Sequence, residues 1–303
     1  MAPDGILAKF SLSERDLIGE GGESRVYALG PDRVLRVPQS RHFARLGKAR
    51  QKAFLARIAG RFPFATPEIL EIGPGEAWTI EKRLPGRPML ALLRDLDGKR
   101  RAIALRSYAV AVGALGAVEL PYLPYGHILA PDPVRASGWQ TFAARSLAGF
   151  VARNRATIAG EIGDPDTLAA KAAAMIADLP DQPRKGLVHG DYFPGNILLD
   201  DDLAVAAVID FGVYVVAGDR QLDFAAAYLT LEMNDECQPE DAQLVRAVLI
   251  ERHGEALALA FRFYRAYLAF SMADPANAAP PYPRLYDWSL TQLRLLAEDR
   301  LPA

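Results

Sequence analysis

The sequence is poor in the residues that build disulfide frameworks and zinc sites. It has one cysteine and four histidines, which are scattered along the chain: Cys237, His42, His127, His189 and His253. A single cysteine cannot form an internal disulfide, and zinc sites need several Cys or His residues at short spacings. We therefore expect neither kind of site, and a reducing, cytoplasmic location fits best.

Strong net charge and long hydrophobic runs are also missing. Lys and Arg total 35 against 37 Asp and Glu, a net charge of -2, so no electrostatic field would gather a polyanion. The longest weakly polar run, residues 107–118, is too short to span a bilayer. The first residues lack the basic stretch and apolar core of a signal peptide. The sequence therefore predicts no nucleic-acid partner and no membrane association.

What the chain has is enough apolar material for a large core. Its 303 residues are 50% hydrophobic and 24% charged, which favours one large domain or two lobes. The first part alternates short apolar runs with Gly and Pro turns, a pattern typical of β-hairpins. The predicted strands cover residues 17–18, 26–29, 34–37, 69–72 and 78–81, with one helix over residues 45–58.

After the Pro-Gly interruption at residues 84–88 the composition shifts to Ala and Leu. We place a lobe boundary there, which gives an N-terminal lobe of residues 1–83 and a C-terminal lobe of residues 84–303. Apolar positions at helical spacing predict helices over residues 89–96, 99–118, 139–159, 167–179, 219–231, 240–253 and 255–270. Two short strand-like runs, residues 196–199 and 205–209, interrupt this helical part.

The strongest chemical signal is the run VHGDYFPGNILL at residues 188–199, followed by VIDFG at residues 208–212. Phosphoryl transfer needs a carboxylate that orients a hydroxyl and accepts its proton, and oxygen ligands for Mg²⁺. Asp191, Asn196 and Asp210 supply these groups. Their spacing matches the kinase motifs H-R-D-x-x-x-x-N and D-F-G, except that Gly190 replaces the arginine. With this glycine, the sequence resembles the aminoglycoside phosphotransferase family of kinase-like small-molecule phosphotransferases.

The resemblance implies an α+β, protein-kinase-like fold with a small β-rich N-lobe carrying one main helix and a larger, mostly helical C-lobe. It makes Asp191 the catalytic base and Asn196 and Asp210 the Mg²⁺ ligands. His189 would pack beneath the catalytic loop, and Asp223 would support that loop from behind. Asp219, which lies four residues before Asp223, is expected to cap the helix that begins there.

The resemblance also implies the reaction. It is transfer of the γ-phosphoryl group of ATP or GTP to a hydroxyl of a small molecule, with Mg²⁺ required. An aminoglycoside-like amino sugar is the family's usual acceptor, and macrolide, choline-like, fructosamine-like or other metabolic alcohols are alternatives because a fold does not fix a substrate. Neither the oligomeric state nor the nucleotide base follows from the sequence.

Several residues of the N-lobe are candidates for nucleotide binding. The run GEGGESRV at residues 19–26 fits the kinase glycine-rich loop, with Ser24 at the third glycine, and a plain hairpin turn is the alternative. Its candidate phosphate-binding residues are Gly19, Gly21, Gly22 and Ser24. Arg36 stands where kinases carry the phosphate-binding lysine, and Arg33 on the same strand competes for that role.

The partner expected for Arg36 is a helical glutamate, but the alignment places Gln51 there. Gln51 could orient Arg36 by a neutral hydrogen bond without supplying a counter-charge. This departure raises the alternative of a weakly active or silent nucleotide-binding module. Glu81 and Arg83 lie in the hinge that would contact the adenine. The alternative is that this segment is only a structural strand that leads into a linker.

The last candidate region is the acidic segment of residues 232–241, which holds five carboxylates and no Lys or Arg. Such a segment would favour a polycationic acceptor. Asp235 and Glu236 are therefore candidate acceptor-binding residues, and a solvated loop between two helices is the alternative. The aromatic residues after position 263 could line an acceptor pocket, but such spacing is more often core.

Overall fold

A computed structural model describes residues 3–21, 24–39, 47–278 and 283–302. Its first part is a five-stranded antiparallel sheet of order β1-β2-β3-β5-β4. The strands are β1 (Leu17–Glu20), β2 (Ser24–Ala28), β3 (Arg33–Pro38), β4 (Ile69–Ile72) and β5 (Thr79–Lys82). The predicted hairpins are confirmed, since β1 pairs with β2, β2 with β3, and β4 with β5.

Two helices accompany this sheet. Helix α2 (Lys48–Ile58) follows β3 and packs beside β4; residues 45 and 46 of the predicted helix lie outside the described residues. Helix α1 (Pro3–Lys9), which the sequence interpretation missed, buries Ile6 and Leu7 in a small core with Trp78 and its neighbours. The small lobe thus has its own apolar core.

The second part is mostly helical, as predicted. Its helices are α3 (Met89–Leu93), α4 (Gly98–Gly116), α5 (Trp139–Glu161), α6 (Pro165–Ala174), α7 (Gln221–Leu229), α8 (Pro239–His253), α9 (Leu257–Met272) and α10 (Pro283–Ala297). Asp97 caps α4 and Asp164 caps α6 with side-chain bonds to backbone amides. Helix α10 has no counterpart in the predicted set. None of the helices in the described ranges is long and apolar enough to cross a membrane.

The carboxyl-terminal aromatics belong mainly to the core. Tyr264, Tyr267, Phe270 and Trp288 are buried there, and the indole nitrogen of Trp139 donates to the Tyr264 hydroxyl at 2.8 Å. Tyr286 is half-buried, and Tyr282 lies outside the described residues. These positions favour the core interpretation over an acceptor pocket.

Two small sheets within the larger lobe carry the loops of chemical interest. One joins β6 (Arg87–Pro88), β10 (Ile197–Leu199) and β11 (Val205–Val208). The other, of order β8-β7-β12-β9, joins β7 (Tyr125–His127), β8 (Arg135–Ala136), β9 (Gly186–Val188) and β12 (Val216–Gly218). The change from the N-terminal sheet to these sheets lies between β5 and β6, close to the predicted boundary at residues 83 and 84.

Candidate active site

The loop between β9 and β10 holds Asp191 and Asn196 against each other. The Asn196 amide nitrogen donates to the backbone carbonyl of Asp191 at 2.9 Å and to its carboxylate Oδ2 at 3.0 Å. The amide group of Asn196 thereby fixes the orientation of the Asp191 carboxylate. This is the arrangement that a positioned general base requires.

Asp223, on α7, holds this loop from behind. Its carboxylate accepts hydrogen bonds from the backbone amides of His189 at 2.7 Å and Gly190 at 2.9 Å. The side chain is buried, and burial raises the pKa of Asp223 to about 7, although both amide donors favour the ionised form. His189 and Gly190, the two residues that precede Asp191, are thus anchored to the core of the larger lobe.

His189 joins the catalytic loop to the strand that precedes Asp210. Its Nδ1 accepts from the Asp191 amide at 3.3 Å, so Nε2, which lies 2.9 Å from the Ile209 carbonyl oxygen, carries the proton. Burial lowers the pKa of His189, which keeps the ring neutral. The ring lies beneath the loop and supports it.

Gly190 has a geometric reason to stand where protein kinases have arginine. Its φ is +75°, and a Cβ atom built on it would lie 2.1 Å from the carbonyl oxygen of Tyr214. A side chain at this position would collide with the segment that follows the D-F-G motif. Only glycine fits this contact without strain.

The backbone brings Asp210 next to Asn196. The amide of Ile209 donates to the Asn196 carbonyl at 2.9 Å, and strands β10 and β11 pair just beyond. Asp210 itself has a φ of 65°, a left-handed conformation that Asp tolerates better than most residues. Such a conformation often accompanies function, because the surrounding structure must hold it.

This donor set fits Mg²⁺ shared with a nucleotide. Asn196 uses its amide nitrogen on Asp191, which leaves its carbonyl oxygen as a ligand atom, and Asp210 is one of the residues that line the adjacent pocket. The described residues contain no cluster of three or more His, Cys, Asp or Glu side chains that could hold a metal alone. Mg²⁺ usually takes one or two protein oxygens and completes its shell with water and phosphates.

The pocket beside Asp210 lies between β3, β5 and α2, and Arg36 is one of its charged side chains. Arg36 donates from Nε to the Glu81 carboxylate at 3.0 Å and from Nη1 to the Ser24 hydroxyl at 2.9 Å. The Thr79 hydroxyl also donates to Glu81, at 2.8 Å. The counter-charge of Arg36 therefore comes from the neighbouring strand β5.

The expectation that Gln51 orients Arg36 is wrong. The Gln51 amide nitrogen donates to the Phe211 carbonyl at 2.9 Å, and its Oε1 accepts from the Lys48 ammonium at 2.9 Å. Gln51 instead ties α2 to the D-F-G segment. A neutral amide suits this bond because a carboxylate cannot donate to a carbonyl oxygen.

Lys48 is a pocket residue that the sequence interpretation missed. It is the first residue of α2, is buried, and lines the same pocket as Arg36 and Asp210. The sequence could have indicated this position, because Lys48 lies three residues before Gln51 and so on the same face of the predicted helix.

The glycine-rich run forms the β1-β2 hairpin. Gly19 lies within β1 opposite Val26, and the Gly21 amide donates to the Ser24 carbonyl at 3.1 Å. A Cβ atom on Gly21 would meet nothing within 4 Å, so the hairpin tip is open on that side. Ser24 contacts Arg36 through its hydroxyl. Gly22 lies outside the described residues.

The two other basic candidates of the N-lobe do not line this pocket. Arg33 is exposed on β3 opposite Lys82 and does not line the pocket. Arg83 is exposed, and its backbone amide donates to the Asp32 carbonyl at 2.8 Å. The Arg83 amide is thus engaged by a turn and not free for a nucleotide base.

Arginines from other elements pair with four of the five carboxylates in the acidic segment of residues 232–241, and Glu240 has no ion pair among the described residues. Arg284 pairs with Asp235 at 3.1 Å, and Arg94 pairs with Glu236 at 2.5 Å. Glu232 and Asp241 pair with Arg265 and Arg101 in the same way. This pairing removes the uncompensated negative charge for which Asp235 and Glu236 were candidate acceptor-binding residues, and their role in acceptor binding stays a prediction.

Comparison with known proteins agrees with this geometry. Residues 15–270 match the model of the phosphotransferase enzyme family. The aminoglycoside 3'-phosphotransferase of Streptomyces fradiae is 26% identical over 213 residues, which cover 66% of this chain and 70% of that protein.

Solved structures share the fold at lower identity. The aminoglycoside phosphotransferase APH(4)-Ia has a TM-score of 0.68 and 21% identity, with 97% of each chain covered. The macrolide 2'-phosphotransferase MphH of Brachybacterium faecium has a TM-score of 0.60 and 18% identity, with 95% of each chain covered. The protein-kinase-like two-lobed fold is thus confirmed, and the chain belongs to the phosphotransferase enzyme family, whose members transfer a phosphoryl group to an alcohol.

Proposed function

We propose that this phosphotransferase moves the γ-phosphoryl group of ATP or GTP to a hydroxyl of a small molecule, with Mg²⁺ and with Asp191 as the base. The observation that carries the proposal is the Asp191–Asn196 pair on a loop anchored by Asp223, with Asp210 alongside. A binding module has no need for a carboxylate held in this way. Solved complexes of similar chains contain ATP or GDP, which supports a nucleotide co-substrate.

Asp191 is proposed to orient the acceptor hydroxyl and take its proton. The hydrogen bond from Asn196 to Oδ2 of Asp191 orients the carboxylate for this role. The hydrogen bond also keeps the carboxylate from rotating, so the hydroxyl oxygen is aligned before transfer. The Asp223 anchor holds the backbone on which this alignment depends.

Asn196 and Asp210 are the residues that would hold Mg²⁺. When bound, the ion neutralises the charge of the phosphates during transfer. Arg36 adds a fixed positive charge in the same pocket, positioned by Glu81 and Ser24. A guanidinium fork can bind phosphate oxygens in a bidentate way, so it can take the place of the kinase lysine.

For the acceptor, we propose an amino sugar, with a macrolide as the alternative. The support is the similarity to a named aminoglycoside 3'-phosphotransferase and to the fold of a macrolide 2'-phosphotransferase. Because four of its five carboxylates pair with arginines, the acidic segment adds little to the case for a cationic acceptor.

The test is a screen of the purified protein with Mg²⁺ and either ATP or GTP against aminoglycosides, macrolides and hydroxylated metabolites. Nucleotide loss above the no-acceptor rate, absent in Asp191→Asn, supports the proposal. A protein that binds nucleotide with Mg²⁺ but phosphorylates no compound would be a silent module, and the proposal would be wrong.

A further inference from the structure

A second pocket lies between the two lobes, apart from the pocket beside Asp210, which is called the nucleotide pocket because the nucleotide phosphates are proposed to bind there. It has a volume of about 380 Å³, and its walls are α2 of the small lobe and residues 120–135 of the larger lobe. Small-molecule sites are commonly of this size. The two pockets use different faces of α2: Lys48, Gln51 and Leu55 line the nucleotide pocket, and Arg50 and Arg57 line the second one.

The floor of this pocket is apolar. Phe54 and Ile58 of α2 and Leu120 and Leu129 of the larger lobe line it, and all four side chains are buried. Its lining contains no Asp or Glu. A ligand that fills it would remove apolar surface from water on both sides, and this removal favours binding.

The rim of the pocket is positively charged. Four arginines line it, namely Arg50, Arg57, Arg61 and Arg135. Arg50 donates to the Ile128 carbonyl across the lobes. Within the described part of the chain, Arg57, Arg61 and Arg135 have no carboxylate partner, whereas the arginines around the acidic segment are all paired.

His127 adds a neutral donor to this lining. Its Nδ1 accepts from the Val134 amide at 3.1 Å, which leaves the proton on Nε2. The pocket therefore offers hydrogen-bond donors and positive charge at its rim over an apolar floor. This combination is complementary to an organic anion with an apolar body.

From the apolar floor and the unpaired arginine rim, we propose that the pocket between α2 and residues 120–135 is a second ligand site, for a small aromatic anion that carries a carboxylate or sulfonate. The ring system lies against Phe54 and Ile58, and the anionic group lies at Arg57 and Arg61. Such a ligand contacts both lobes at once. The proposal does not depend on the identity of the phosphoryl acceptor.

The test uses two probes that differ by one sulfonate group. One is 8-anilinonaphthalene-1-sulfonate, whose fluorescence rises in an apolar site, and the other is its uncharged analogue N-phenyl-1-naphthylamine. Titrations of the full chain are made with each probe. We expect saturable binding of the sulfonate at one site and binding of the neutral analogue that is weaker by about tenfold.

Two variants and one matched control locate the site. Arg57→Gln combined with Arg61→Gln should weaken sulfonate binding about tenfold, because both removed charges lie at the rim. The matched control is Arg106→Gln combined with Arg252→Gln, which removes two exposed arginines outside the pocket and should bind as wild type. Ala53→Phe, on the pocket wall, should block both probes while leaving both arginines in place.

Equal sulfonate affinity in wild type and the Arg57/Arg61 variant would overturn the proposal. An equal loss of sulfonate affinity in the Arg106/Arg252 control would also overturn it, since the effect would then reflect net charge alone. Displacement of the sulfonate by ADP would place the probe in the nucleotide pocket and would also overturn it. A failed acceptor screen leaves this binding assay unaffected, so the two proposals fail independently.

Discussion

Among the described residues, the carboxylate that pairs with Arg36 is Glu81, which lies on a strand. In the register of β3 and β5, Arg36 faces Thr79, which places Glu81 diagonally opposite on the same face of the sheet. Long side chains at such diagonal positions on neighbouring strands can contact each other. The residues Arg36 and Gln51 therefore do not by themselves indicate an inactive protein.

The role of Arg36 can be separated from that of Arg33. Arg36→Gln should raise the dissociation constant of ATP about tenfold or more, because a charged hydrogen bond to phosphate contributes roughly 1.5–3 kcal/mol. Arg33→Gln is the matched control on the same strand and should leave the affinity unchanged. Isothermal titration of both variants gives the result, and equal affinities for the two would remove Arg36 from the nucleotide site.

Asp219 should make stability depend on pH. Its side chain is buried, its Oδ1 accepts from the Gln221 amide at 3.0 Å, and its Oδ2 has no partner among the described residues. Burial raises the pKa of Asp219 to about 6. A carboxyl with a raised pKa contributes its stability below the unfolded pKa, and this contribution is lost as pH rises through the folded pKa.

The measurement for Asp219 is the free energy of unfolding of wild type and Asp219→Asn at about pH 4 and about pH 7. Between the lower and the higher pH, the free energy of unfolding of the wild type should fall by roughly 2 kcal/mol more than that of the variant. The comparison between pH values cancels any constant cost of the asparagine. Parallel pH curves for the two proteins would show that Asp219 titrates normally in the folded state.

Sequence spacing predicted which residues the candidate site brings together because the motif itself is local. His189, Asp191 and Asn196 share one loop, and β10 and β11 form a hairpin that returns Asp210 to it. The Arg36–Glu81 pair joins residues 45 positions apart. Strand register decides that contact, and no pattern within either segment indicates it.

At the scale of elements, α2 is tied to the D-F-G segment by one amide. Gln51→Glu would restore the residue that kinases carry, yet it would place a carboxylate against the Phe211 carbonyl. We expect kcat to fall about tenfold, because the hydrogen bond to the Phe211 carbonyl is lost and two oxygen acceptors then face each other. Steady-state kinetics with the acceptor found in the screen checks this, and a rise in kcat would show that Gln51 does stand in for the missing glutamate.

The longest helices and the strands of the first sheet followed from the sequence, whereas several short elements and helix α10 did not. The apolar spacing of α4, α5 and α8 repeats over several turns, so the periodicity is clear. Strands β7, β8, β9 and β12 have two or three residues each, too few for alternation to show. Helix α1 has seven residues, and α10 follows the Pro-rich run of residues 280–283, so neither was predicted.

At the scale of the whole molecule, buried and exposed ion pairs differ in what they contribute. The Arg101–Asp241 pair joins α4 to α8, with side-chain exposures of 7% and 4%. The Arg155–Asp166 pair has exposures of 52% and 70%. Removing one partner of a buried pair leaves an uncompensated charge in the interior.

Arg101→Leu should therefore lower the free energy of unfolding by about 3–5 kcal/mol. Arg155→Leu, its exposed counterpart, should lower it by less than about 1 kcal/mol. Chemical denaturation of both variants at neutral pH gives the two values. Similar small losses would mean that the acidic segment is not held to α4 by this pair.

The central claim, that Asp191 acts as the base in phosphoryl transfer to a hydroxyl, has one direct measurement. It follows the transfer of radioactive phosphate from γ-labelled ATP or GTP to the acceptor found in the screen, for wild type and Asp191→Asn, with nucleotide binding measured in parallel. The account predicts Mg²⁺-dependent labelling of the acceptor by wild type, a loss of about 10² or more in kcat for Asp191→Asn, and equal nucleotide affinity in both. Labelling at the wild-type rate by Asp191→Asn would contradict it.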